Sequence, residues 1–391
     1  MTHDSRYPAL SDLRARARRR LPHFVWEFLD SGTGSEATTR RNRAKLDEVL
    51  LAPSILHGEV APSTKTAFLG ATYALPVGIS PVGMSGLVWP GAEHHLARAS
   101  ATLAIPYGLS TVASQTPEDI AGSLGEHGWF QMYPPRDADI RADMLKRAKA
   151  AGFQALVLTV DVPVGSRRER QARSGLTQPP RLTPRLLAQI ATRPAWALGM
   201  ARRGMPRMRM IDDYMPDTKG LPSNEHAGYL LRTSPDWDYL RWLRDAWKGP
   251  FIVKGVLDAR DAKRLQGEGV DAIWVSNHAG RQFDAAPATI EALPAIRAAT
   301  DLPLVFDGGI EGGLDILRAI ALGADMVMMG RGWHYALAAL GPAGPAHLAA
   351  ILKADLEANM GQLGLARPDE VRNRAVIPAP VTAPGTGQGN P

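Results

Sequence analysis

Eight short apolar runs at a regular spacing constrain this chain more than any other feature. They are LPVGIS (75–80), PYGLS (106–110), GWFQM (128–132), ALVLTV (155–160), FIVKG (251–255), AIWVS (272–276), PLVFD (303–307) and DMVMMG (325–330). Such runs, rich in apolar residues that do not alternate with polar ones, read as strands buried on both faces of a parallel sheet. Most begin about 20–30 residues apart, the length of a strand, a crossover helix and two loops. Amphipathic segments fill the gaps. DMLKRAKAAG precedes the fourth run and ARDAKRLQGEG the sixth, each closing on a glycine that stops a helix. Eight such units predict an α/β fold of the (β/α)8, or TIM, barrel type. A doubly wound sheet is the alternative, and eight regular units disfavour it.

Two stretches break the rhythm. The first 60 residues read as helical and precede the barrel, with Leu21-Pro22 opening the segment HFVWEFLDSG. Residues 171–232 form a long insertion between the fourth and fifth strands. The chain reads as one domain over 1–377, followed by a Pro/Gly-rich tail, 378–391, whose composition predicts disorder.

Composition narrows the chemistry. A chain of 391 residues with 45 % apolar content can bury a large core. The absence of cysteine excludes disulfides, iron–sulfur ligation, zinc–thiolate sites and a cysteine nucleophile. A formal charge of +6 and a pI near 9.6 point to anionic partners. The N-terminal stretch MTHDSRYPALSDLRARARRR lacks the apolar core of a secretion signal, so a cytoplasmic location is expected.

In a barrel the groups just beyond each strand share one site. Here they are Pro81-Val82-Gly83, Ser110, Gln131 with Tyr133, Thr159 with Asp161, Lys254, Ser276 with His278 and Arg281, Asp307-Gly308-Gly309, and Gly330-Arg331. The set holds one imidazole, several cations and many small polar groups. It lacks the paired carboxylates of a glycosidase and any His/Asp/Glu triplet at metal-ligand spacing, so no metal is expected. Glycines followed by an arginine at a helix start suit a phosphate.

These residues carry a resemblance. LPVGISPVGMSG, STVASQTPEDIA, FQMY, LTVDVPVGSRRER, IVKGV, SNHAGRQFDAAPATIEALPAI, DGG and ALGADMVMMGR resemble the FMN-dependent 2-hydroxy-acid dehydrogenases and oxidases over most of the chain. The resemblance implies FMN as cofactor and oxidation of an L-2-hydroxy acid to the 2-oxo acid by hydride or carbanion transfer to the flavin. It implies quinone or O2 as electron acceptor and a homotetramer. His278 would be the base, and Asp161 would stabilise its imidazolium. Arg168 and Arg281 would hold the substrate carboxylate, with Phe28 and Tyr133 beside it. Pro81, Val82, Gly83, Ser110, Gln131, Thr159, Lys254 and Ser276 would surround the isoalloxazine. Asp307 would take the ribityl hydroxyls; Gly308, Gly309, Gly330 and Arg331 would take the phosphate. Nucleic acid is not an expected partner. Three positions depart from the family pattern, which has tyrosine at Phe28, glycine at Ala279 and arginine at Glu311. Val112 stands where glycolate oxidase has tryptophan, and Gly83 follows the membrane lactate and mandelate dehydrogenases. Other readings are an isomerase-type FMN barrel and a catalytically drifted flavin- or membrane-binding relative.

The insertion points to a membrane surface, with an active-site lid or a subunit contact as the alternative. Between Gln171 and Met210 there is no Asp or Glu. Arg173, Arg181, Arg185, Arg193, Arg202, Arg203, Arg207 and Arg209 are interleaved with Leu182, Leu186, Leu187, Ile190, Trp196, Leu198, Met200, Met205 and Met208. Thr183-Pro184 marks a helix start. Arginines among apolar anchors suit an anionic bilayer surface, which would make the protein peripheral on the inner face of the cytoplasmic membrane.

Overall fold

The computed structural model describes residues 3–176, 183–214 and 234–376. The expected disordered tail at 378–391, and part of the insertion including Arg181 and Leu182, lie outside the described residues. Eight parallel strands close into a barrel: β1 (Val77–Ile79), β2 (Tyr107–Ser110), β3 (Gly128–Met132), β4 (Ala155–Thr159), β5 (Phe251–Val256), β6 (Ala272–Val275), β7 (Leu304–Phe306) and β8 (Met326–Met329). Each pairs with its neighbours in sequence. Closure is made by β8 on β1, with Val327 opposite Val77 and Met329 opposite Ile79. Every predicted run holds one barrel strand.

Strand side chains alternate between faces, so one parity lines the barrel interior. At the N-terminal end that parity is apolar: Trp129, Val157, Ile252, Trp274 and Val305 form one buried cluster. Two residues further on, the same face becomes Gln131, Thr159, Lys254, Ser276 and Asp307. The interior is therefore a packed plug at one end and a polar site at the other. An antiparallel hairpin, Thr66–Phe68 with Ala71–Tyr73, adds Phe68 and Tyr73 to the plug, Phe68 lying 5.9 Å from the Trp129 ring. Its turn is Leu69-Gly70, both at positive φ, the shape that suits a two-residue hairpin. Three-residue strands are too short to show a periodicity, which is why the hairpin is not evident in the sequence.

Helices α1 (Leu10–Arg20), α2 (His23–Asp30) and α3 (Ala37–Asp47) precede the barrel. Leu10, Leu13 and Ala17 form the buried stripe of α1, and α2 is buried from Phe24 to Asp30. The helical expectation for the first 60 residues holds only to Asp47. Leu50–Leu51 instead pairs with Ala375–Val376, and Pro53, Gly58 and Pro62 stop any helix beyond.

The described part of the insertion is helical: α4 (Glu169–Arg173), α5 (Pro184–Ala191), α6 (Pro194–Arg203) and α7 (Arg209–Asp213). Thr183 caps α5, its Oγ1 accepting from Leu186 N at 3.3 Å. The insertion packs on α2. Gln189 Oε1 accepts from Phe24 N at 3.0 Å, and the Trp196 and Phe24 rings meet edge-on at 5.8 Å. Trp196 is buried and donates through Nε1 to Leu87 O at 3.0 Å, so it is not a membrane anchor. Leu186, Met200 and Met208 are buried with it. After β8 come α8 (Arg331–Leu340) and α9 (Gly344–Leu363), among the described residues the one helical stretch both long and apolar enough to cross a membrane, and mostly buried within the fold.

Candidate active site

A cavity of about 790 Å³ opens at the C-terminal ends of the strands, roofed by residues of α1, α2, α3 and the insertion. His278, just past β6, reaches it. Its Nδ1 lies 3.0 Å from Asp161 Oδ1, beyond β4. Burial lowers the imidazole below its ordinary value, against the support of Asp161. Burial would raise the Asp161 carboxyl, yet His278 and Lys254 hold it below the usual carboxylate range. The result is a neutral imidazole backed by an anion, with Nδ1 held and Nε2 left for a substrate proton. The turn is unusual: His278 and Ala279 both have positive φ, 54° and 53°.

Two runs of polar side chains line the interior, one from β2 to β4 and one from β5 to β7. Ser110 Oγ donates to Gln131 Oε1 at 3.0 Å, and Gln131 Nε2 donates to Thr159 Oγ1 at 2.9 Å. Lys254 Nζ donates to Ser276 Oγ at 2.6 Å and lies 3.2 Å from Asp307 Oδ2. Ser276 Oγ donates to Asp307 Oδ1 at 2.8 Å, and Trp274 Nε1 donates to Oδ2 at 3.0 Å. Gln131, Thr159, Lys254 and Asp307 line the cavity, whereas Ser110, Ser276 and Asp161 lie behind it and hold those that do. The Pro81–Gly83 backbone lines the opposite wall. A Cβ on Gly83 would meet Val112 Cγ2 at 2.6 Å, so the two loops pack without space for a side chain there.

The other end is built for an anion. Gly308 and Gly309 turn at φ 111° and 87°, and a Cβ on Gly309 would come within 2.9 Å of Asn42 O. Gly330 opens α8, and Arg331 follows at its first position. Arg331 Nη2 donates to Ala279 O at 3.0 Å, but its Nε is buried without a partner among the described residues; so is Ser80 Oγ, on the same cavity. Orphaned donors, a diglycine turn and a helix start fit a phosphate, and the polar runs above fit the donors and acceptors of a flat heterocycle. The residues therefore fit FMN.

Arg281 donates to the carbonyls of Phe28, Leu29 and Ser31 at 2.9, 3.1 and 2.6 Å, which fixes it at the C-terminus of α2. Burial, then Arg168 and Arg331, press its guanidinium below its ordinary value, a crowding that a bound anion would relieve. Arg168 Nε donates to Ser166 Oγ at 3.1 Å and its Nη2 to Gln282 Oε1 at 3.2 Å. Tyr133 also lines the cavity; burial first, then Asp161, push its phenol up to about 12, so it is a donor at neutral pH. Phe28 presents a ring to the cavity where a phenol would add a donor. Glu311 is exposed at the phosphate end, its backbone N–H donating to Asp315 Oδ2 at 2.9 Å. Several cavity residues lie outside the motifs: Arg14, Asp30, Asn42 and Tyr335. Arg14 Nη2 and Tyr335 Oη both bond Asp30 Oδ1, at 2.6 and 2.7 Å. Arg14 and Asn42 sit on partly exposed helices, Asp30 and Tyr335 on helices buried almost throughout, and only helix packing brings them together at the barrel mouth.

A family model described as FMN-dependent dehydrogenase matches residues 17–378. The chain belongs to that family. An enzyme of this family is an oxidoreductase that uses FMN, and the cradle described above fits that cofactor. The chain is 39 % identical over 378 residues to an L-lactate dehydrogenase of Stenotrophomonas maltophilia, covering 95 % of this chain and 99 % of the relative. It is 40 % identical over 364 residues to an L-lactate dehydrogenase of Pectobacterium atrosepticum, covering 91 % and 93 %. Among solved structures it is similar to the monotopic membrane protein (S)-mandelate dehydrogenase, with a TM-score of 0.87, 33 % identity and coverage of 93 % and 97 %. A mandelate oxidase follows at a TM-score of 0.79 and 32 % identity, covering 94 % and 97 %.

Proposed function

We propose that this FMN-dependent dehydrogenase oxidises an L-2-hydroxy acid to the 2-oxo acid, with His278 as base. The observation that carries the reading is the neutral His278 on Asp161, facing a cavity that also holds Arg168, Arg281, Tyr133 and Lys254. The arginines bind the substrate carboxylate by charge-assisted bonds and so fix which hydrogens face the base. His278 Nε2 takes one proton, and Asp161 stabilises the imidazolium that forms. Tyr133 donates to the substrate oxygen. FMN, when bound, would be the two-electron oxidant, and the Lys254 ammonium would balance negative charge on it. The substrate loses two protons and two electrons in total, one proton to His278 and the other, with both electrons, to the bound FMN.

Phe28, Val112, Leu176 and Met208 supply the apolar wall, the last two from the insertion and its approach. This wall supports a substrate whose side chain is larger than a methyl group. Anaerobic addition of lactate, longer 2-hydroxyalkanoates and mandelate to the FMN-loaded protein tests both points. Bleaching of the flavin band is expected, fastest with the bulkier apolar acids. No bleaching with any of them defeats the reading, and lactate as the best substrate defeats the apolar preference.

We also propose that the insertion rests on an anionic membrane and that quinone is the electron acceptor. Leu187, Leu198 and Met205 are 50 %, 53 % and 44 % exposed, beside exposed Arg185, Arg202 and Arg203. Arg207 and Arg209 pair with Asp212 and Asp119, at 2.7 and 3.0 Å, which leaves fewer cations for lipid than the sequence suggests. Each remaining cation contributes on the order of 1 kcal/mol near anionic lipid. Co-sedimentation with anionic and neutral vesicles at low and high salt is the measurement. Equal sedimentation with both kinds of vesicle rejects the anionic-surface reading.

A further inference from the structure

We propose that Asn42, on α3, is a positioning residue that holds the turn carrying His278 in a backbone shape this sequence does not itself favour. The proposal rests on His278 being the base. His278 and Ala279 lie at φ 54° and 53°, and Gly280 follows at 74°. Left-handed backbone brings a Cβ against the next carbonyl, so only glycine, and less often Asn or Asp, adopts it readily. Two successive residues with neither advantage need support from elsewhere.

Asn42 supplies it. The side chains of Asn42 and Asn277 exchange two hydrogen bonds, Asn42 Nδ2 to Asn277 Oδ1 at 2.9 Å and Asn277 Nδ2 to Asn42 Oδ1 at 2.7 Å, and both residues are buried. The pair is anchored outward: Asn42 Oδ1 accepts from Thr289 N at 3.3 Å, and Asn277 Nδ2 donates to Pro287 O at 3.0 Å. It also spans the turn, because Asn277 precedes His278 while its Oδ1 accepts from Gly280 N at 3.3 Å. Thr39, one helical turn before Asn42, donates to Ala279 O at 3.3 Å. A carboxamide suits the position because it donates and accepts from one planar group, and Asn277 requires both. Without Asn42, Asn277 loses a donor and an acceptor in a dry interior, where neither is replaced cheaply. The turn is then free to relax from its left-handed shape, and His278 moves away from Asp161 Oδ1.

The test uses the full chain saturated with FMN, so that any change in cofactor affinity drops out. Asn42→Ala and Asn42→Asp are each compared with and without Ala279→Gly. Asn42→Asp keeps volume and acceptor but loses the N–H to Asn277, and it carries the comparison if Asn42→Ala does not fold. Expected is a loss of kcat on the order of 10- to 100-fold for a misplaced base, with KM little changed. The acid limb of kcat/KM moves to lower pH as the imidazole loses Asp161. Ala279→Gly restores much of kcat in the Asn42 variants, because glycine adopts the turn without a brace. A kcat within twofold of wild type overturns the proposal. So does a loss of kcat with an unmoved pH limb and no restoration by glycine, the mark of a general packing defect. The His278 ring-proton NMR titration gives the same comparison without substrate. If wild type oxidises no 2-hydroxy acid, the proposed function fails, while an unmoved His278 titration in Asn42→Ala defeats only the present inference.

Discussion

His278 has to be neutral to accept a proton, and its surroundings make it so. Burial depresses the imidazole while Asp161 partly supports its cation, leaving its pKa below the ordinary 6.5. The sign follows directly: kcat/KM is full above that pKa and falls as pH drops through it, so the acid limb lies below 6.5. A pH–rate profile with its acid limb above that value contradicts the assignment. His278→Gln should keep the flavin spectrum and lower turnover by roughly 10²–10⁴-fold, the worth of a positioned base. Glu311 tests the phosphate end. It lies near Arg14, whose guanidinium, against the cost of burial, is raised by Tyr335, Asp30 and Glu311. Replacing a carboxylate beside a phosphate with a cation should tighten FMN by roughly tenfold at low salt and less at high salt. An FMN dissociation constant unchanged in Glu311→Arg means that this side chain points away from the phosphate.

At the scale of elements, one residue fastens the root of the insertion to the helix that carries Phe28. Arg170 on α4 bonds Glu27 Oε2 at 2.7 Å, Asp30 Oδ2 at 3.1 Å and Glu36 Oε2 at 3.0 Å. Glu27 and Asp30 are buried on α2, where carboxylates without a cation are costly. Arg14 still serves Asp30 when Arg170 is removed, but among the described residues Glu27 is left with only His23, at 3.8 Å, as a cationic partner. Arg170→Met should therefore destabilise the protein by about 3 kcal/mol, seen as a lower urea midpoint at constant m value. A shift below about 0.5 kcal/mol would put this cluster among ordinary surface ion pairs. The insertion also shows why an amphipathic segment is hard to read alone. Its arginines and apolar residues were visible, but the sequence does not say that Trp196 faces Phe24 and Leu87 rather than lipid.

For the whole molecule, the barrel is sealed at one end and polar at the other, so the proposed cofactor site lies where the packed interior stops. Binding only to the folded state stabilises it by mass action. FMN at 100 times its dissociation constant should add about 2.7 kcal/mol to the unfolding free energy and raise Tm by several degrees. Riboflavin, which lacks the phosphate, should do less at equal concentration. Equal stabilisation by both would mean that Gly308, Gly309, Gly330 and Arg331 do not grip the phosphate.

The barrel itself was legible because buried parallel strands are short, apolar and regularly spaced, and the interior face of five of them turns polar at the C-terminal end. Trp129 to Gln131, Ile252 to Lys254 and Val305 to Asp307 carry that change within three residues, a local property any reading of the chain can find. The polar groups at the strand ends were legible for the same reason. What the chain order alone does not contain is the roof. Arg14, Asp30 and Asn42 look like members of ordinary helices, and their partners Tyr335, Arg170 and Asn277 lie more than a hundred residues away. Hydrogen bonds between such distant groups exist only after the helices have packed. The His278 turn likewise draws on that packing: Asn277 Oδ1 bonds Gly280 N within the turn, but Asn42 and Thr39, which bond Asn277 and Ala279 O, come from α3.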